Sequence, residues 1–463
     1  MTDTLQNFLA TRLGANAVFP GNPEFDERRQ VWNGYIDRKP IAVVKVKDVA
    51  DVSETIRTAA GRGLNVCVKG GGHNIAGSAV ADGALMIDMS GLDQIRIDAA
   101  NRVAQVGGGA TWAQFDAAAQ AEGLAAPGGV VSSTGVAGLT LGGGFGWLAR
   151  LHGLAVDNVL SATLVLADGT VAICSADEHA DLFWAIRGGS GNFGIVTEFT
   201  FRLHPVGPAV LFGPTFFDLK DARAVLNAYA EHAPSLPREA CVWANLMTAP
   251  PAPVLPEESH GTTVLTLMQS YAGPPEAGYA VLKSLYGGVE PVGSALTPRA
   301  YTEAQSFLDP AYVAGARNYW RTHNHHALTP ELIDTLIELA QTLPTPESEI
   351  LICQLGGAVA DIGADATAFP HRHIPFMSTP GARWHDPAND EAMVAWLASV
   401  SDRISDHAVP GSYVNFIAES DGQAPSAYQG NLDRLAAIKR KYDPHNLFRF
   451  NQNIAPDRAA EIA

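Results

Sequence analysis

Basic residues are scarce in this chain: 31 Lys and Arg stand against 48 Asp and Glu, a formal net charge of -17 at pH 7. A partner such as nucleic acid or an anionic membrane needs a basic face, so neither is expected. Cysteine is scarcer still. Cys67, Cys174, Cys241 and Cys353 lie far apart with no CxxC pair, which argues against a zinc site or a disulfide framework and suits a reducing compartment. No stretch approaches the roughly 18 uninterrupted apolar residues of a membrane span. Residues 1–7 carry no basic cluster followed by an apolar run. The expectation is a soluble, cytoplasmic protein. HExxH, GxSxG and a glycine run followed by a P-loop lysine are all missing, which removes three common catalytic readings.

Glycine, by contrast, is abundant and clustered. The chain has 463 residues, of which 47% are hydrophobic, enough for a large core divided between two or more domains. A β-rich run at 41–48, helical spacing of Val52, Ile56 and Ala59, and a second apolar run ending at Lys69 read as a strand–helix–strand unit. It breaks into Gly70-Gly71-Gly72-His73-Asn74. Successive backbone N–H groups in such a turn form a concave anion site, and a histidine beside it points to a bound, phosphate-bearing cofactor. Short strands are expected at 84–89, 94–98 and 104–106, followed by a helix from about Trp112 to Ala121 capped by Thr111.

A second cluster, 128–146, holds eight glycines in nineteen residues and reads as a loop; a third is Gly188-Gly189-Ser190-Gly191-Asn192-Phe193-Gly194. The latter fits GxGxxG, and Gly144 to Ala149 fits GxGxxA. The dinucleotide fingerprint needs a strand before it and a helix after it, whereas the third cluster follows a helix-like 181–187 and feeds the strand 195–201. A Rossmann site is therefore not expected. Prolines at 205, 208 and 214 mark a change of pattern. Beyond them, strands at 209–217, 262–270, 349–355 and 412–417 and amphipathic helices at 220–232 and 330–341 suggest an antiparallel sheet covered by helices on one face. A last helix is expected at 431–442.

Lys69-Gly70-Gly71-Gly72-His73, the 131–146 segment, Leu154-Ala155-Val156-Asp157-Asn158, residues 181–189, Asn192-Phe193-Gly194-Ile195-Val196-Thr197, and Tyr442-Asp443-Pro444-His445-Asn446 followed by Asn451-Gln452-Asn453 occur in this order. Together they resemble the berberine bridge enzyme-like FAD-linked oxidases of the vanillyl-alcohol oxidase/para-cresol methylhydroxylase superfamily, over nearly the whole chain. The resemblance implies an α+β protein. Its FAD-binding domain, of the para-cresol methylhydroxylase type with two α/β subdomains, spans 1–205; a substrate domain spans 206–420, and 421–463 returns to the FAD domain. It further implies FAD bonded through His73, with Lys69, Gly70, Gly71, Gly72, Asn74, Gly77 and Ser78 around the pyrophosphate. Gly129, Val131, Thr134, Gly135, Gly138, Leu139, Leu141, Gly142 and Gly146 are its second contact segment. Gly194, Ile195 and Val196 would lie near the adenosine, and Asn451 and Asn453 near the isoalloxazine, where amides can donate to its carbonyls.

Departures from the family pattern sharpen this. Where many members have a cysteine that makes a second bond to the flavin, this chain has Val131, so one covalent link is expected, as in members resembling bacterial 6-hydroxy-D-nicotine oxidase. A histidine common in relatives is Leu139 here. Thr134 replaces a frequent valine near the route proposed for oxygen, so a dehydrogenase using another acceptor stands as the alternative to an oxidase.

The expected chemistry is hydride transfer from a small alcohol or amine to the flavin and then to O2, with Gln354, Tyr413, Asn415 and Phe416 as candidate positioning and catalytic residues. A tyrosine base of sugar-oxidising relatives corresponds to Phe416, which disfavours a carbohydrate. If 412–417 is a strand, Tyr413 and Asn415 share one face and Phe416 takes the other, the favoured flavin side. Trp320, His323, His325, His326, His371 and His373 read as pocket or surface residues rather than metal ligands, with one of the histidines a possible proton acceptor. The competing reading is a flavin-bearing carrier module whose middle domain is a docking surface; the oligomeric state stays open.

Overall fold

The computed structural model describes residues 2–418 and 422–457, so the expected boundary at 420/421 lies outside the described residues. The first sheet has four strands in the order Ala17–Val18, Ala42–Lys45, Leu85–Asp88, Val66–Lys69, and the last three run parallel. Helix Val49–Ala60 connects Ala42–Lys45 to Val66–Lys69, with Asp48 capping it by accepting from the Asp51 N–H. Val52, Ile56 and Ala59 are buried against the sheet as their spacing predicts. The glycine turn at 70–72 thus leaves the carboxyl end of a parallel strand, where helices and loops open a crevice.

A second sheet is antiparallel, ordered Ile95–Asp98, Val103–Gly107, Ile195–Arg202, Val159–Val165, Val171–Ser175. Helix Trp112–Gln120 packs on it through Trp112 and Phe115, against Phe201. Its Thr111 cap forms a capping box with Gln114. One expectation needs correcting: 128–146 is not loop throughout, because Val136–Leu141 winds into a short helix.

The third sheet has nine strands. Its path runs Gly293–Ser294, Ala209–Asp218, Thr263–Tyr271, Ala240–Thr248, Glu349–Gln354, Phe376–Trp384, Arg317–Trp320, with Thr297–Ala300 and His323–His325 paired at its margins. All its pairings are antiparallel. Side chains alternate, so each central strand has two different faces. Val242, Ala244, Leu246, Ile350 and Ile352 meet helices Ala222–His232, Pro330–Ala340 and Asp390–Ser405 in one core. Trp243, Asn245, Met247, Glu349 and Leu351 occupy the opposite face, which no helix of that core covers.

Buried arginines bind the parts together. Arg150, on helix Ala149–His152, donates to the carbonyls of Leu236, Ala240 and Leu355. Arg372 forms a two-point ion pair with Asp157 at 2.7 and 2.8 Å, both side chains nearly sealed from solvent. Among the described residues no helix is long and apolar enough to cross a membrane. All four cysteines are buried and unpaired.

Candidate active site

Two glycine segments meet backbone to backbone. A Cβ added at Gly71 would fall 2.2 Å from the Gly135 nitrogen, and one added at Gly135 would fall 2.3 Å from the Gly71 nitrogen. Only glycine permits that approach. Helix Trp112–Gln120 holds the second segment: the N–H groups of Trp112 and Ala113, free at the helix start, donate to the carbonyls of Thr134 and Ser132 at 3.0 and 2.8 Å. Asp309 holds it from the other side, accepting from the Ser132 N–H and hydroxyl.

His73 sits against this junction. Its Nε2 lies 2.9 Å from the Ser133 hydroxyl, and Trp32 stacks on the ring with centroids 5.2 Å apart. Burial pushes its pKa down to about 4, against a smaller opposing pull from Asp309, so the imidazole is neutral at pH 7.

The chain's C-terminal return is anchored from inside. Lys439 Nζ, fully buried, donates to the carbonyls of Asn192 and Phe448 and to Asp443 Oδ2 at 2.7, 2.9 and 2.6 Å. Asp443 also accepts from the N–H groups of Leu447 and Phe448. Asn192, from the third glycine cluster, donates to the Gln452 carbonyl and accepts from the Ile454 N–H. Here the GxGxxG look-alike serves as a brace for residues 452–454. Asn451 Oδ1 and Asn453 Oδ1 are buried without a hydrogen-bond partner.

These pieces line a cavity of about 700 Å³ that runs from the glycine loops to the uncovered face of the nine-stranded sheet. Of the residues expected to contact cofactor, Gly70, Gly71, Gly72, His73, Asn74, Ser78, Gly129, Val131, Thr134, Gly135, Gly138, Leu139, Leu141, Gly194, Ile195, Val196 and Asn451 line it. Five others do not. Lys69 turns away to donate to the carbonyls of Arg28 and Gln30. Gly77 packs on Ile36, Gly142 on Asn415 and Gly146 on the Gly128 carbonyl, while Asn453 lies behind Asn451 in sequence but outside the lining.

The substrate-side expectations change more. Gln354 belongs to the helix-covered face: its Oε1 accepts from the Val242 N–H at 2.9 Å and its Nε2 donates to the Ala233 carbonyl. Both ends are occupied, and it does not reach the cavity. Residues 414–416 form a 3-10 turn rather than a strand. The alternation argument therefore fails there, and Tyr413, Asn415 and Phe416 all line the cavity. The Tyr413 hydroxyl accepts from the Gly144 N–H and from Asn415 Nδ2, and burial raises its pKa, so it remains a phenol. Phe416 packs edge-on against Phe145, Trp320 and Tyr413.

Sequence reasoning missed Glu349. Its carboxylate faces the cavity, taking hydrogen bonds from the Tyr312 hydroxyl at one oxygen and from Asn245 Nδ2 at the other. Burial raises its pKa above the usual carboxylate range, and those two donors oppose the rise. The readable signal was an acidic residue opening a strand that is apolar from Ile350 to Cys353. Three of the histidines considered earlier have other partners, His323 meeting Ser401, His325 meeting Ser378 and the His407 carbonyl, and His371 meeting the Ser412 carbonyl, while His326 and His373 are exposed. Of that group, only Trp320 lines the main cavity.

Residues 40–175 match the FAD binding domain family, and residues 412–455 match the berberine and berberine-like family. An FAD-linked oxidoreductase of Aspergillus terreus is 30% identical over 445 residues, covering 89% of this chain and 87% of that protein. The chain belongs to the berberine bridge enzyme-like FAD-linked oxidoreductases. Within this family, (R)-6-hydroxynicotine oxidase of Paenarthrobacter nicotinovorans is 28% identical, covering 97% of this chain and 99% of that one. The crystal structure of 6-hydroxy-D-nicotine oxidase from Arthrobacter nicotinovorans superposes with a TM-score of 0.87 at 26% identity, covering 97% and 100% of the two chains. Membership makes this chain an FAD-dependent oxidoreductase and gives it the family's α+β architecture.

Proposed function

We propose that this berberine bridge enzyme-like protein is an oxidase with FAD bonded once, through His73, and that it oxidises a small, largely apolar alcohol or amine. The observation that carries the reading is one continuous cavity lined by His73, the glycine loops and Glu349 together. The residues present fit FAD. Gly71 and Gly135 close a cradle with no room for a side chain, and Asn451 Oδ1 is a buried acceptor without a donor. The volume, about 700 Å³, lies within the range of cofactor and ligand sites. When bound, FAD supplies a two-electron acceptor that takes hydride from carbon and can be emptied by dioxygen.

The chain's own residues have separable roles. His73, neutral and held by Trp32 and Ser133, presents an imidazole nitrogen for the single bond, and Val131 offers no thiol for a second. Glu349 takes the proton that the substrate's hydroxyl or amine must lose, and Tyr312 and Asn245 hold its carboxylate in place. Trp243, Trp320, Phe145 and Phe416 form an aromatic wall that excludes water and leaves a many-hydroxyl sugar short of partners. Residues 1–205 with 421–463 carry the cofactor, and 206–420 supply the substrate wall apart from Phe145. A reducing cytoplasm suits four buried, unpaired thiols.

A panel of apolar alcohols and amines, with cellobiose as the contrasting compound, tests the reading. Anaerobic bleaching of the flavin by an apolar member, followed by peroxide release in air, supports an oxidase. Bleaching without peroxide assigns a dehydrogenase, and a panel that leaves the flavin yellow throughout favours the carrier reading.

A further inference from the structure

Ser133 contacts the one histidine nitrogen that decides the chemistry of attachment. A neutral imidazole carries one N–H and one lone pair, and the hydrogen bond made by one nitrogen determines which form the other takes. Nε2 of His73 is 2.9 Å from Ser133 Oγ. Nδ1 has no hydrogen bond to the described residues, and the ring lines the cavity. Trp32, stacked at 5.2 Å with planes 20° apart, fixes the ring plane but cannot tell one nitrogen from the other. That distinction falls to Ser133.

The segment that carries Ser133 is held mainly through its neighbour Ser132. Ala113 N–H donates to the neighbouring Ser132 carbonyl, Asp309 accepts from the Ser132 N–H at 2.8 Å and from its hydroxyl, and the Ser133 carbonyl faces the Gly71–Gly135 contact. Asp309 comes from the 3-10 turn Asp309–Ala311, far along the chain, so the serine is set by the assembled protein rather than by its own turn.

We propose that Ser133 is the positioning residue for flavin attachment: it accepts from Nε2–H of His73, leaving the lone pair on Nδ1 to bond to the flavin's 8α carbon. This rests on the single-tether reading above. The new bond is Nδ1–C8α. A proton leaves C8α and another leaves Nε2; the electron pair passes into the flavin ring and on to dioxygen, which takes both protons and ends as hydrogen peroxide. Removing the serine hydroxyl lets the ring settle in either tautomer and either flip. Attachment then slows, and its site becomes mixed.

The test uses the full-length wild type, Ser133→Ala, Ser133→Thr and His73→Ala, each loaded with FAD. Three quantities are read: total flavin captured, the rate at which it becomes acid-stable, and the histidine nitrogen carrying it, by NMR of the isolated flavopeptide. Wild type should be linked at Nδ1. Ser133→Ala should capture flavin but attach it about tenfold more slowly, the worth of one neutral hydrogen bond, with both nitrogens used, and Ser133→Thr should restore rate and site. Wild-type linkage through Nε2 overturns the proposal, even if Ser133→Ala does not fold. So does a Ser133→Ala protein that attaches at the wild-type rate through Nδ1 alone. If wild type releases all its flavin in acid, as His73→Ala must, the tether itself is wrong and the proposal falls with it.

Discussion

Gly71→Ala tests the cradle most sharply, because its consequence follows from distances alone. The added methyl would sit 2.2 Å from the Gly135 nitrogen, 2.8 Å from its Cα and 3.0 Å from the Ser133 carbonyl oxygen. Carbon contacts settle at about 3.5–4.0 Å, so the loops must part by more than roughly 1 Å. All three obstacles are backbone, held by the helix at Trp112 and by Asp309, so no side-chain rotation relieves them. Overpacking of this kind costs about 1–3 kcal/mol. In a domain of about 150–250 residues each kcal/mol lowers Tm by about 2–4 °C, giving a fall of about 2–12 °C. Parting the loops also spoils the flavin site, so FAD content should drop at least about tenfold, a loss of about 1.4 kcal/mol in binding. Gly138→Ala is the control, since its methyl meets nothing within 4 Å: the apoprotein should keep its Tm. Differential scanning fluorimetry and the visible flavin absorbance of desalted protein read both effects. A Gly71→Ala protein with wild-type Tm and flavin content would refute the reasoning.

Glu349→Gln should leave flavin content intact and slow anaerobic flavin reduction by about 100-fold or more, measured by stopped flow. In wild type that rate should rise with pH, because the protonated carboxyl cannot accept a proton, and the midpoint should lie above the ordinary carboxylate value since burial raises the Glu349 pKa; a flat profile counts against Glu349 as acceptor. Lys439→Met leaves Asp443 buried and unpaired and should cost about 3–5 kcal/mol in urea unfolding, with flavin loss as residues 447–454 come free. Gln354→Leu should cost about 1–3 kcal/mol by stranding the Val242 N–H and the Ala233 carbonyl, yet the folded fraction should turn over at the wild-type rate. A selective loss of rate would return Gln354 to the active site.

The cofactor side was legible because its signals are local. A glycine turn after a strand, a second glycine cluster and a histidine between them carry their geometry in a few residues. Even there, Lys69 and the GxGxxG look-alike took structural jobs that depend on distant partners, the carbonyls of Arg28 and Gln30 and residues 452–454. The substrate side was not legible for a physical reason. Glu349 and Gln354 stand on one strand at odd and even positions, so they face opposite ways, and nothing in the strand's own sequence says which face the helices will take. Pairing with Ala240–Thr248 decides it, putting Gln354 against Val242 and Glu349 beside Asn245. The turn at 414–416 hid for a similar reason: its aromatic and β-branched residues suit a strand, and packing against the Val136–Leu141 helix and Gly144 bends it.

The single bond at His73 is the centre of the account, and one measurement reaches it directly. Wild type and His73→Ala are precipitated with acid, resolved on a denaturing gel and examined for flavin fluorescence, with the flavopeptide mapped by mass spectrometry. The account predicts a fluorescent wild-type band, a dark His73→Ala band and one modified peptide containing His73 with Val131 untouched. A dark wild-type band, or flavin carried by any other residue, contradicts it.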